Sequence, residues 1–198
     1  MQVNIRCREP RRPIVTLWLV CILSANVACT GIEQAAGYRM ELYDAPVPAR
    51  LDGASKVNAV DVKQLQESVG AVVIDVIPQQ RRPQVLPENQ IWIPAKHLGI
   101  PGAIWLPDTG YGVLSKITET YFRHHLKLAT GGDRDHPVIF YCRKDCWMSW
   151  NAAKRALSYG YTNVFWFDDG IDGWILEDFE VQALTPAEGR RQSADPQE

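Results

Sequence analysis

No apolar run in this chain reaches the ~20 residues that a membrane-spanning helix needs. The longest, Ile14-Val15-Thr16-Leu17-Trp18-Leu19-Val20-Cys21-Ile22-Leu23, is roughly half that length, which argues for a cleaved export signal over a permanent anchor. Cysteine is scarce, with five in 198 residues, so a small disulfide-stapled scaffold is excluded. Neither sign of charge dominates: 21 Lys and Arg face 23 Asp and Glu, for a formal charge of −2. A chain so balanced lacks the basic field that nucleic acid requires, and no nucleic-acid partner is expected. There is no internal repeat, and the length suits one domain with a proper core.

What is there begins with Arg6, Arg8, Arg11 and Arg12 ahead of the apolar run, followed by small residues from Ser24 to Gly31. That order is the layout of a secretory signal, and residues 1–36 are assigned to it, with a periplasmic location expected. Val27-Ala28-Cys29 offers an alternative, a lipoprotein signal with Cys29 lipidated, although Asn26 stands where such a signal usually has Leu. Without residues 1–36, which hold four Arg and two Glu, the formal charge becomes −4. The same cut leaves Cys142 and Cys146 as the thiols of the folded part, four residues apart.

Residues 37–54, with Pro46 and Pro48, read as an extended arm over the domain. A short strand over 56–58 and a helix with Leu65 and Val69 ending at Gly70 follow. Ala71-Val72-Val73-Ile74-Asp75-Val76-Ile77 is a run with two apolar faces, as in a central parallel strand. Residues 78–99 form a long irregular segment, with Ile91-Trp92-Ile93 expected on the core. Ile100 to Pro107 reads as a turn and strand. Ser115 caps a helix to about Thr130, its buried stripe made of Ile117, Tyr121, Phe122, Leu126, Leu128 and Ala129. Pro137 to Tyr141 is a strand ending at Cys142. Ser149 or Asn151 caps the next helix, closed by Gly160, and 163–167 is another strand before a short helical turn at 171–174. Strand and helix alternate, so the expected fold is α/β, a central parallel sheet with helices on both faces, over 55–185. Residues 186–198 read as a disordered tail.

A strand that runs into a turn and then a helix puts its loop at the carboxyl edge of the sheet, where α/β folds bind ligands. The first amides of that helix lack intrahelical partners and favour a negative species. Cys142, flanked by Arg143 and Lys144, is therefore expected to have a lowered pKa and to act as a nucleophile.

This strand, cysteine loop and helix, with Gly160-Tyr161-Thr162-Asn163-Val164 and Asp169-Gly170-Ile171-Asp172-Gly173-Trp174 after it and Ile100-Pro101-Gly102-Ala103 before it, resembles the rhodanese family. The resemblance implies a persulfide carried on Cys142 and loop amides that cradle its charge. Tyr141-Cys142-Arg143-Lys144-Asp145-Cys146-Trp147-Met148 looks more narrowly like the PQQ-dependent catabolism-associated CXXCW motif family, as do Gly37-Tyr38-Arg39-Met40 and Leu106-Pro107-Asp108. That likeness implies a thiol-based role in periplasmic alcohol oxidation, with a quinoprotein dehydrogenase or its cytochrome as partner and a small sulfur donor as substrate.

The departures are specific. A rhodanese loop has Gly three residues after its cysteine and Arg five after; here stand Asp145 and Trp147. Candidates for holding an anion are thus Arg143, Lys144, Asp145, Trp147 and Met148. The phosphatases of this fold family would place their anion-gripping Arg at Met148, which removes that reading. Three hypotheses follow for Cys142 and Cys146: a sulfur carrier that discharges by closing a disulfide, a binding module that presents the loop to a partner or to Cu(I), or a fixed structural bridge. Trp147 and Trp150 are read as packing residues, His97, His124, His125 and His136 as surface histidines, and Asp75 as a backbone cap.

Overall fold

A computed structural model describes residues 36–189. Five strands, β1 (Ala54–Lys56), β2 (Val72–Asp75), β4 (Ile104–Trp105), β5 (Val138–Tyr141) and β6 (Val164–Phe167), form one all-parallel sheet in the order β1-β6-β5-β2-β4. Helices α1 (Ala59–Val69), α2 (Lys116–Ala129), α3 (Trp147–Ser158) and α4 (Gly170–Leu176) connect them. Among the described residues no helix is long and apolar enough to cross a membrane.

The period of two along the strands sorts their side chains to two cores. Ile74, Val138, Phe140, Val164 and Trp166 pack with α2 and α3. Val73, Ile139, Tyr141 and Phe167 pack with α1 and α4. Covering on both faces is why β2 and β5 read as unbroken apolar runs. The sheet with helices on both faces is the expected fold.

Four local readings need correction. Helix α3 begins at Trp147 with Cys146 as its N-cap, not at Ser149 or Asn151. Those two polar side chains are wholly buried and serve tertiary bonds instead. Ile91 and Ile93 are 86% and 80% exposed and do not reach the core. On α2 the buried face is Tyr121, Phe122, His125 and Leu126, whereas Ile117 and Leu128 are exposed. The face turns by about one residue because His125 takes a buried place, its Nε2 bonded to the Glu188 carbonyl at 2.9 Å.

That bond also corrects the tail. Residues 186–189 are pinned: Ala187 N–H donates to the Trp105 carbonyl, and Tyr121 Oη–H donates to the Ala187 carbonyl. Residues 190–198 and the assigned signal up to residue 35, with Cys29, lie outside the described residues.

The long segment after β2 ends in a strand that sequence periodicity did not reveal. β3 (His97–Gly99) pairs antiparallel with β7 (Gln182–Leu184), His97 opposite Leu184. This two-stranded sheet anchors the returning chain beside the carboxyl edge of the main one, and it delivers His97 there.

Candidate functional site

Cys142 leaves β5 fully buried, and Cys146, the N-cap of α3, is 2% exposed. Both are free, buried thiols, and each is the other's electrostatic neighbour, strongly enough to move its pKa. The turn between them is tight because Asp145 adopts φ +53°. That position holds Gly in the rhodanese pattern, and Asp is among the few other residues that tolerate the left-handed region. The loop thus keeps the backbone bend and loses the glycine.

The underside of the loop is clamped by α4. Ile171 N–H donates to the Cys142 carbonyl at 2.9 Å, and the Asp172 carboxylate accepts from the Lys144 amide at 2.8 Å. Gly170 makes this approach possible: at φ +56°, a Cβ there would lie 2.3 Å from the Cys142 carbonyl oxygen. Gly170→Ala is expected to cost about 2–4 kcal/mol, from left-handed strain plus overpacking, read as a lowered urea midpoint.

The arm closes the loop from above. Asp44 and Cys146 form an antiparallel bridge, with the Trp147 amide donating to the Tyr43 carbonyl and the Ala45 amide to the Asp145 carbonyl. The Trp147 indole N–H donates to the Pro46 carbonyl, and the Arg39 guanidinium lies 5.1 Å from that ring. Asn151 ties the arm down: its amide accepts from the Arg39 N–H and donates to the carbonyls of Arg39 and Gly110, all at 2.8–2.9 Å. Asn151→Ala is expected to cost about 2 kcal/mol and to raise the alkylation rate of the thiols about tenfold, since it frees the cover without touching either sulfur.

These contacts change the expected electrostatics. Two of the loop's amides, Lys144 and Trp147, are spent on Asp172 and the arm, so they cannot cradle a sulfur anion. The Arg143 amide favours the charged form of both thiols and the Met148 amide that of Cys146, although the Cys146 side chain accepts no capping hydrogen bond from α3. Burial pushes the Cys142 thiol well up, and its neighbour Cys146 adds to the effect. Cys146 is held down by the S–H donated from Cys142, against its own burial, with the Met148 and Arg143 amides assisting. The lowered pKa therefore belongs to Cys146, contrary to the expectation for Cys142. The two thiols titrate as a pair, the second proton harder to remove than the first.

The remaining loop residues divide. Arg143 pairs with Asp44 at 3.1 Å and its side chain also reaches the Cys142 sulfur. Lys144 lies 3.9 Å from Asp169 in an exposed pair and faces away from the thiols. Trp147 turns to the arm, and Met148 is buried in the α2/α3 core. Of the five proposed anion-holding residues, then, Arg143, by amide and side chain, and Met148, by its amide, act on the thiols, and the other three do not.

Sequence reasoning missed a polar network below the loop. Asp75, wholly buried at the end of β2, accepts from Tyr141 Oη–H at 2.7 Å and the Ile77 amide at 2.8 Å, and its carboxylate meets His97 Nε2 at 2.8 Å. The His97 ring stacks on Trp105 with centroids 3.9 Å apart. His97 is therefore no surface histidine, and Asp75 does more than cap a turn. Burial and the Asp75 charge push the Tyr141 phenol well up, so it stays a donor. A charged residue inside the Val72 to Ile77 run was the one available signal. Nothing local marked His97, which arrives through the β3–β7 pairing.

An all-parallel five-stranded sheet with a cysteine loop between its central strand and a helix defines a thiol-bearing α/β domain. The rhodanese-like domain family matches residues 58–177, and this chain belongs to that family. Its fold suits a thiol or sulfur-transfer role. No curated protein matches it. Similar solved structures include the thiosulfate sulfurtransferase of Pseudomonas aeruginosa, 20% identical with TM-score 0.45, where the likeness covers 67% of this chain and 21% of that one. The BH2092 protein of Bacillus halodurans is 21% identical with TM-score 0.44, over 66% of this chain and 77% of that one. The polysulfide-sulfur transferase of Wolinella succinogenes is 18% identical with TM-score 0.42, over 70% and 85%. The chain thus spans about a fifth of the first and most of the other two.

Proposed function

We propose that this is an exported rhodanese-like protein whose Cys142 and Cys146 form a working dithiol, a sulfur carrier that discharges by closing a disulfide. The observation that carries this is the pair of free, buried thiols in one loop, Cys142 at the end of β5 and Cys146 at the N-cap of α3, each shifting the other's pKa. Cys146, holding the thiolate, attacks a sulfane sulfur of a small donor such as inorganic polysulfide. A sulfur–sulfur bond of the donor breaks, leaving a persulfide on Cys146 and a donor one sulfur shorter. The Cys142 sulfur then attacks the inner sulfur on Cys146, its proton passing to the outgoing outer sulfur. The disulfide forms, the outer sulfur leaves as hydrosulfide, and two electrons have passed from the thiols to that sulfur. Two electrons from an outside dithiol or a redox partner reset the pair.

This moves the persulfide from Cys142, where the family pattern puts it, to Cys146. The setting is the periplasm, supported by the Arg-rich start and apolar run of residues 6–23, and the partner is a quinoprotein dehydrogenase or its cytochrome, supported by the Cys-x-x-x-Cys-Trp motif. A second reading rests on the same two sulfurs. Adjacent soft ligands suit two-coordinate Cu(I), and among the described residues no group of three or more His, Cys, Asp or Glu could hold a metal ion.

Mass spectrometry of the purified full chain treated with polysulfide tests the proposal. In Cys142→Ser one extra sulfur is expected on Cys146. In the unaltered chain a Cys142–Cys146 bridge and released sulfide are expected. Bound copper that protects both thiols would favour the second reading, and no added sulfur in any form would overturn the first.

A further inference from the structure

Beside the thiol loop, between residues 77–80, residues 94–98 and β7, lies a cleft of about 760 Å³ that the dithiol chemistry does not use. Its walls carry the basic side chains Lys96 and Arg143, the amides of Gln79 and Gln80, and the stacked pair His97 and Trp105. No Asp or Glu is among the residues that line it. An inorganic sulfur anion would fill little of this space, which is the size of pockets that take small organic ligands. The cleft combines two cations with an apolar, aromatic wall. That pairing of features selects an organic anion over both a neutral apolar molecule and a bare inorganic ion.

The donors are preset. His97 Nε2–H donates to the Asp75 carboxylate, which fixes the ring as part of the apolar wall and not as a donor to the ligand. Gln80 accepts the Ala95 amide through Oε1 at 3.2 Å, so its NH₂ group remains to donate. Arg143 already meets a carboxylate, that of Asp44 at 3.1 Å, and both side chains are largely exposed, at 51% and 73%. Exposed pairs of this kind are weak and exchange readily.

We propose that this cleft binds a small organic carboxylate with an apolar body, its charge met by Lys96 and Arg143 and its body laid against the His97 and Trp105 wall. Asp44 occupies Arg143 in the ligand's absence and competes with it. Binding needs neither thiol, so it stands or falls separately from the sulfur-carrier reading.

The test uses benzoate as probe and benzyl alcohol as its neutral counterpart, titrated calorimetrically into the full chain carrying Cys142→Ser and Cys146→Ser. Benzoate is expected to bind saturably and about tenfold tighter than benzyl alcohol. Lys96→Gln, an exposed position that folding does not depend on, should weaken benzoate by about threefold to tenfold and leave benzyl alcohol unchanged. Asp44→Asn should tighten benzoate by about threefold, a gain that a merely structural role for Asp44 would not produce. The indole N–H resonance of Trp105, assigned with Trp105→Phe, should move as benzoate is added. Equal affinity for the two probes, no measurable benzoate binding, or a Trp105 signal that stays still would overturn the proposal.

Discussion

Cys146→Ser is expected to reduce polysulfide-dependent sulfide release to background, a loss of about a hundredfold or more, because it removes the only thiolate the loop stabilises. Cys142→Ser should behave differently. It removes the thiol that closes the disulfide, so the first sulfur is still accepted but not released, and turnover stalls after one equivalent. The contrast between the two variants is the point: a loop working in the ordinary rhodanese manner would show the reverse order, with Cys142 indispensable for loading. The sign of the pH dependence follows from the same hydrogen bonds. Cys146 has its pKa lowered, so its thiolate and the stability it lends the fold are present above the ordinary thiol range of about 8.5 and persist as pH falls, until pH passes below the folded value. Cys142, pushed up by burial, stays protonated across that window. Loading with sulfur should therefore stay fast below the pH at which a free cysteine loses reactivity.

Asp75→Ala is expected to destabilise the fold by about 3 kcal/mol and to lower the melting temperature by roughly 10 °C. The carboxylate is wholly buried and holds Tyr141, the Ile77 amide and His97 together. Removing it strands two donors and releases the ring that walls the cleft. Tyr141→Phe breaks one of those bonds along with the phenol's acceptance of the Ile100 amide, and should cost about 1–2 kcal/mol. Thermal unfolding followed by far-ultraviolet circular dichroism checks both. A loss of less than 1 kcal/mol for Asp75→Ala would mean that the network is dispensable.

The scaffold was legible because burial on two faces leaves a plain trace. The runs at Val72 and Val138 contain almost nothing polar; the first follows a helix that stops at Gly70, and the second leads into one that closes before Gly160. Cys142 and Cys146 were legible by their spacing in one loop. Their roles were not, because those depend on which amides remain to meet them. The arm takes the Trp147 amide and Asp172 takes the Lys144 amide, and neither contact is local in sequence. The start of α3 was misplaced for a related reason: Ser149 and Asn151 look like caps, yet both are drawn inward by Trp166, the arm and Gly110. His97 and the small β3–β7 sheet could not be seen because three-residue strands carry too little pattern, and their pairing spans most of the domain.

The most direct measurement is site-resolved alkylation of the reduced full chain with a limiting amount of iodoacetamide, from pH 5 to pH 9, each cysteine quantified after digestion. The electrostatics of the loop require Cys146 to be modified first, with a half-maximal rate at a pH below that of a free thiol and with Cys142 protected until the fold opens. Label that appears first on Cys142, or a Cys146 that reacts only as an ordinary thiol does, would contradict the assignment of the thiolate and with it the order of sulfur transfer.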